Sequence, residues 1–317
     1  MNFVKFQPLY QERIWGGNGL KSQFARSLPE NKYIGESWEL VDRPEAQSVI
    51  ACGTMTGLTL RQAIEQHGAQ LLGPDYPFKK PFPLLVKWLD CQKRLSLQVH
   101  PPATVADELN GEPKTENWYV ATAQPDATII VGFEQEITRE IFKDSLKSDT
   151  FESLIHRVRV EPGDSMFVPS GRIHAIEGGV LVLEIQQNSD TTYRIYDWGR
   201  RGSDGKLRQL HIEESLQCIN FKDVKPNPLQ TNSDAQIIAD CPEFRIRKLR
   251  LNADLGPLVI EAEDQPRLLH IISGRIVEKK SGAFLNNGDN VLLPFSASFI
   301  FEAVDNAVLL VTENFIG

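Results

Sequence analysis

Pro162-Gly-Asp-Ser-Met-Phe-Val-Pro169-Ser-Gly171-Arg-Ile-His174 is the stretch on which the reading of this chain turns. Pro-Gly-Asp is turn chemistry, the short apolar run after it reads as a strand, and Pro169 ends that strand. Gly171 then allows a second tight turn, so that a return strand begins near His174. The same turn and strand recur later as Asn287-Gly-Asp-Asn-Val-Leu-Leu-Pro294. Five residues beyond the closing proline stands His174 in the first copy and Phe299 in the second. If the copies are repeats, a polar ligand position in one half is an apolar core position in the other.

Outward from this pair, the chain continues as short strands. Leu95-Ser-Leu-Gln-Val-His100, residues 39–41 and residues 158–160 alternate apolar and polar side chains, and Gly or Pro interrupts such runs about every ten residues. Strand rhythm resumes over 244–251, 267–277 and 307–312. Thr59-Leu-Arg-Gln62 is a capping box that opens a helix carrying Ala63, Ile64 and Leu71, with Gly68 near its stop. Residues 138–146, 151–156 and 212–219 are further helical candidates. These helices decorate the strands and do not alternate with them, which argues against a parallel βαβ sheet. A polar stretch with two prolines, 222–240, reads as a linker.

Composition narrows the function classes. The chain has 317 residues, with 34 Lys and Arg against 42 Asp and Glu, a formal net charge of −8. That sign disfavours nucleic acid and anionic membrane surfaces as partners. No uninterrupted apolar run approaches the ~18 residues of a spanning helix, and the first residues carry no signal-peptide pattern. The four cysteines, Cys52, Cys91, Cys218 and Cys241, lack Cys-x-x-Cys spacing and read as reduced thiols. A cytoplasmic protein is expected.

The chemistry gathers around two of the six histidines. Gln98 and His100 are two residues apart on a strand, so their side chains share a face. His174 follows the Gly-Pro-Gly turn, and Glu116 heads another strand candidate in Lys114-Thr-Glu-Asn-Trp-Tyr119. Two imidazoles, one carboxylate and an amide oxygen form a mixed N/O set suited to Zn²⁺, and the same set accommodates Fe²⁺, Mn²⁺ or Co²⁺. The lack of sulfur favours an open, catalytic site. The remaining histidines, His67, His156, His211 and His270, read as hydrogen-bonded packing residues.

These residues carry a family resemblance. Gly163-x5-Pro169-x-Gly171-x2-His174 matches the second cupin motif, and Gln98-x-His100 resembles the first, with Gln in place of its leading His. Together with Gly111-Glu-x-Lys-Thr-Glu116, Asn188-Ser-Asp190-x3-Arg194, Trp15-Gly-Gly17, Ile34-Gly-Glu-Ser-Trp-Glu39 and Tyr196-Asp-Trp-Gly-Arg200, they resemble the short bacterial form of the type I mannose-6-phosphate isomerases. Pro102 and Arg172 depart from that pattern without touching a ligand position.

The resemblance implies a mainly β fold: two cupin (jelly-roll) barrels with a few decorating helices. Residues 1–231 are expected to form a metal-bearing catalytic domain with helical insertions, and residues 232–317 a cupin-like barrel without a metal site. It implies one Zn²⁺ held by Gln98, His100, Glu116 and His174, with Arg194, Lys114 and Asp190 as active-site residues. The implied reaction moves a proton between the first two carbons of a sugar phosphate, interconverting mannose 6-phosphate and fructose 6-phosphate through an enediolate. A divalent ion stabilises the charge that develops on oxygen, and Arg194 supplies a fixed second cation. Lys114, Asp190 and a metal-bound hydroxide all stand as the base. Without the family match, Arg194 would read as an ion-pair partner of Asp190 or Asp197. Arg172, Arg200 and Arg201 are phosphate candidates by charge alone. The competing expectations are a non-catalytic sugar-phosphate-binding cupin, or a metal cupin enzyme acting on another substrate.

Overall fold

The structure is a computed structural model that describes residues 1–202 and 205–316. Its first barrel is two facing antiparallel sheets. A seven-stranded sheet runs in the order 229–230, 164–168, 116–123, 180–187, 84–91, 34–40 and 9–17, and a five-stranded sheet in the order 155–159, 128–133, 174–176, 97–99 and 193–196. The second barrel pairs a six-stranded sheet with a four-stranded one, drawn mainly from residues 235–313. The expected mainly β architecture of two barrels with few helices is the one found. The N-terminal strand Val4–Lys5 crosses over and pairs with Leu292 and Val291 of the second barrel.

Alternation along the strands explains where the cores lie. At one end of the first barrel the inward positions are apolar, with Leu89, Val120, Val182, Met166, Ile129 and Val131 packed together. Two residues along the same strands, the inward positions become Lys87, Trp118 and Glu184. One barrel interior therefore holds an apolar half and a charged half. The outer faces of the two large sheets bury a further cluster between the barrels, including Trp88, Leu183, Ile185, Phe244, Ile246 and Leu310.

The repeated turn occupies equivalent places in both halves. Gly163 and Gly288 both adopt left-handed φ values, 99° and 87°, that a side chain would resist. Each turn leads into a strand, Asp164–Val168 or Asn290–Leu293, and His174 and Phe299 each begin the strand that follows. Phe299 is buried in the second core and stacks on Phe301 at 5.8 Å. The second turn also docks the barrels: the Gly288 carbonyl accepts from Arg26 (2.7 Å) and from the Trp88 indole (3.2 Å).

Three local expectations are corrected. The helix Leu60–Leu72 has the capping box, but it passes through Gly68 and ends at Gly73. Gly68 instead lets the Phe78 ring lie against the helix, where a Cβ would stand 2.3 Å from that ring. Of residues 151–156, only Phe151–Ser153 is helical, as one 3₁₀ turn; Ile155–Arg159 is a strand because its alternating side chains pair with Thr128–Phe133. The stretch 222–240 is no free tether, since Leu229–Gln230 pairs with Ser165 and Asp164, and Ala235–Asp240 is a strand of the second barrel. Backbone hydrogen bonding there overrides the polar, proline-bearing composition. The other two helices form as expected, Arg139–Lys147 and Ile212–Cys218, and pack on the outer face of the five-stranded sheet.

His270 gives the second barrel a pH dependence. Its Nδ1 lies 2.7 Å from Asn290 Oδ1 and its Nε2 3.0 Å from Thr312 Oγ1. Because Asn290 Nδ2 donates to Glu39 and to the Gly288 carbonyl, its Oδ1 faces His270 as an acceptor and the ring is neutral with Nδ1–H. Burial pushes the imidazole down to about 4 from the ordinary 6.5. The unfolded chain binds the proton first, so stability is complete above pH 6.5 and falls as pH drops toward 4, by up to ~3 kcal/mol. Denaturant unfolding of wild type and His270→Gln from pH 7 to 4 should show a shallower acid slope in the variant; parallel curves would contradict this assignment.

Candidate metal centre

Strand register builds the site. His174 pairs directly with Gln98, and Gln98 on its other side with Arg194, so these three side chains form one row across the five-stranded sheet. On the facing sheet, Trp38, Lys87, Glu184 and Trp118 form a row across four strands, and Glu116 lies on the same face two residues from Trp118. His100, just past the end of the Leu97–Val99 strand, projects into the gap between the sheets. The two rows meet in the charged half of the barrel.

At the centre His100, Glu116 and His174 are fully buried, and one ligand atom from each lies within 4.8 Å of the others. His100 Nε2 is 3.5 Å from Glu116 Oε2, and His174 Nε2 is 3.7 Å from Glu116 Oε1. Both rings are held from behind: His100 Nδ1 lies 2.9 Å from the Thr191 carbonyl and His174 Nδ1 2.9 Å from the Arg172 carbonyl. A carbonyl accepts only, so Nδ1 carries the proton and each Nε2 offers its lone pair inward. Burial and the Lys114 ammonium push His100 down to about 3, and burial lowers His174. Burial alone would raise the Glu116 carboxyl, but Lys114 and His100 outweigh it and hold the group well below its ordinary value.

This donor set fits a divalent cation. Lys114 is bound to Glu116 Oε2, but Oε1 is buried without a hydrogen-bond partner, so the cluster keeps an anionic oxygen with its lone pairs free beside His174 Nε2. Two neutral imidazoles, an ionised carboxylate and an amide are ligands for zinc or a similar ion, with each histidine oriented by a second hydrogen bond. Gln98 faces His174 with Nε2, at 3.1 Å. A half-turn of that terminal amide presents Oε1 in its place.

Lys114 touches the cluster, 2.5 Å from Glu116 Oε2 and 3.0 Å from His100 Nε2. Burial opposes its charge, yet Glu116 and Glu184 outweigh it and hold the ammonium above its ordinary value. Arg194 and Asp190 line an adjoining cavity of about 410 Å³ together with Gln98 and Lys114. Arg194 pairs with neither Asp190 nor Asp197; Asp190 lies 3.7 Å from Lys87, and Asp197 binds Arg200 and Arg208. Of the charge-only phosphate candidates, Arg172 is engaged bidentately by Asp223 at 2.7 and 2.9 Å, and Arg201 reaches the Gly205 carbonyl.

Sequence reading missed five groups that line the same cavity: Arg13, Glu36, Lys87, Glu184 and Arg208. Lys87 lies 4.9 Å over the Trp38 ring and 3.7 Å from Glu184, whose other oxygen accepts from the Trp118 indole at 3.0 Å. Burial, then Glu116, raises the Glu184 carboxyl. Burial opposes the Glu36 charge too, but Lys87 and Arg13 hold that carboxyl down to about 2. For Lys87 and Glu184 the available signal was a charge inside the apolar runs Leu84–Cys91 and Val180–Gln187, because burying a charge in a strand calls for a partner.

Comparison with known proteins agrees with the geometry. Residues 3–142 match the model of the phosphomannose isomerase type I catalytic domain. Mannose-6-phosphate isomerase ManA of Bacillus subtilis is 36% identical over 302 residues, 92% of each chain. The crystal structure of the mannose 6-phosphate isomerase from Bacillus subtilis superposes with a TM-score of 0.87 at 29% identity, covering 99% of this chain and 100% of that one. A mannose 6-phosphate isomerase bound with zinc and yttrium shares the fold, with a TM-score of 0.75 at 18% identity over 99% of this chain and 100% of that one. On the matched catalytic-domain model and the 36% identity along nearly its whole length, the chain belongs to the type I phosphomannose isomerase family.

Proposed function

We propose that this chain interconverts mannose 6-phosphate and fructose 6-phosphate, with one zinc ion held by Gln98, His100, Glu116 and His174. The observation that carries the reading is the register row His174–Gln98–Arg194, which joins a buried metal-ligand cluster to a cation-lined cavity in one barrel. The chemistry belongs to residues 1–231, and residues 232–317 form a barrel whose counterpart to His174 is an apolar Phe299. A relative sharing the fold is named as bound with zinc, which supports zinc over the other ions that suit these ligands. None of the described helices is long and apolar enough to cross a membrane. We place the enzyme in the cytoplasm, with a small phosphorylated sugar as its partner and neither nucleic acid nor membrane.

The reaction requires a proton to leave the carbon beside a carbonyl while charge builds on oxygen. A divalent ion in this cluster supplies Lewis-acid stabilisation of those oxygens. The protein supplies the rest. Arg194 keeps its proton and donates to the sugar oxygens; its Nε is buried without a protein partner and Nη1 is fixed by the Gln209 carbonyl at 2.7 Å. Lys114 and Asp190 both line the cavity, and one of them carries the proton. Arg13, Lys87, Lys114, Arg194 and Arg208 line the pocket against three carboxylates, Glu36, Glu184 and Asp190, a positive balance that suits a phosphate dianion despite a whole-chain charge of −8.

Purified protein should convert mannose 6-phosphate to fructose 6-phosphate in a coupled assay and wash deuterium from C2 of labelled substrate into water. Binding of the sugar phosphate without turnover or exchange would identify a non-catalytic binding protein instead. Lys114→Met and Asp190→Asn should each lower kcat, and the variant that abolishes C2 exchange marks the proton carrier.

A further inference from the structure

Asp197 follows directly on the strand that carries Arg194, and its side chain is only 5% exposed. It touches none of the metal-ligand residues. Its carboxylate instead grips two arginines, accepting from Arg208 Nε at 2.7 Å and Arg208 Nη2 at 2.5 Å, and from Arg200 Nε at 3.1 Å and Arg200 Nη2. Arg200 also donates to the Arg94 carbonyl. The two arginines stand on the outgoing and returning legs of one excursion of the chain, legs that meet at the Arg201–Leu207 bridge. One buried carboxylate thus fastens both legs to the end of the Arg194 strand.

The returning leg is part of the cavity. Arg208 lines it beside Arg194. The next residues hold Arg194 itself: the Gln209 carbonyl accepts from its guanidinium, His211 Nδ1 accepts from its backbone N–H at 3.1 Å, and the His211 N–H donates to its carbonyl at 2.7 Å. Among the described residues no carboxylate lies within 4.0 Å of the Arg194 guanidinium. The long flexible side chain of Arg208 is held, among the described residues, only by its fork-to-fork pair with Asp197.

We propose that Asp197 is a positioning residue for the substrate pocket: its bidentate pair with Arg208, braced by Arg200, fixes Arg208 as an anion-binding wall for the phosphorylated sugar and seats the leg that holds Arg194. The proposal deepens the isomerase reading and rests on it for the identity of the anion. Asp197 touches no reacting atom, so its effect passes through Arg208.

The test compares wild type, Asp197→Asn, Arg208→Ala and the double variant for KM and kcat with mannose 6-phosphate, inhibition by inorganic phosphate, zinc content and thermal midpoint. Asp197→Asn should raise KM and the phosphate inhibition constant about tenfold or more, with a smaller fall in kcat and unchanged zinc content. In the double variant KM and the phosphate inhibition constant should match those of Arg208→Ala alone, because Asp197 acts on the anion through its pair with Arg208. A folded Asp197→Asn with wild-type KM and phosphate inhibition, or losses that multiply in the double variant, would overturn the proposal. If Asp197→Asn does not fold, Arg208→Lys decides, since lysine keeps the charge but cannot make the bidentate pair: a raised KM supports the proposal and an unchanged one overturns it. Should wild type fail to turn over mannose 6-phosphate, the isomerase reading falls, and phosphate binding measured calorimetrically on the same variants still decides the role of Asp197.

Discussion

His174→Ala is expected to abolish zinc binding and lower isomerase activity by about a thousandfold or more, because it removes one imidazole from the proposed set of four ligands. His174 is fully buried, its Nδ1 is locked to the Arg172 carbonyl, and it opens the strand that pairs with both Gln98 and Val131. No other described His, Cys, Asp or Glu stands in this cluster to replace it. Metal analysis of the purified variant should find less than a tenth of the wild-type zinc, with the β-rich circular dichroism spectrum retained. A variant that keeps a full complement of zinc and its turnover would remove His174 from the ligand set.

Arg194→Ala is the complementary case, in which the metal stays and the rate goes. Arg194 lies in the same row as Gln98 and His174 but bonds to neither; its contacts are the Gln209 carbonyl and the His211 backbone and ring. Removing a fixed donor from a developing oxyanion typically costs ~10²–10³ in kcat, equivalent to about 2.7–4 kcal/mol. Zinc content should remain at the wild-type level. Arg194→Lys should restore little of the lost rate, because a point charge does not reproduce the planar fork. Wild-type kinetics in Arg194→Ala would leave the residue with a bracing role only, and loss of zinc would make it a support for the metal centre.

The two substitutions bear on the part of the molecule that was plainest in the sequence. Gly-Asp turns before short apolar strands ending in proline are local chemistry, and they led to the barrels and to the equivalence of His174 with Phe299. Gln98 and His100 share a face because strand side chains repeat every two residues, and that period survives folding unchanged. Arg208, Lys87 and Glu184 were not legible in the same way. Their roles depend on register between strands far apart in the chain, such as Lys87 opposite Glu184, and on an excursion that returns Arg208 to Asp197. The stretch 222–240 differs from its reading for a related reason: its composition is polar, but Leu229–Gln230 pairs with the distant strand Asp164–Val168 and Ala235–Asp240 pairs with the strand that follows it. Residues 151–156 carry a helical beginning, which the pairing of Ile155 with Phe133 cuts short.

The most direct test of the metal-centred account is isomerase activity measured together with zinc content before and after exhaustive chelation, followed by stepwise return of zinc. The account predicts about one zinc per chain in the active protein, from the single set of four ligands. Activity should be lost in proportion to the zinc removed and recovered as one equivalent is restored. A zinc-free preparation that interconverts mannose 6-phosphate and fructose 6-phosphate at the full rate would contradict it.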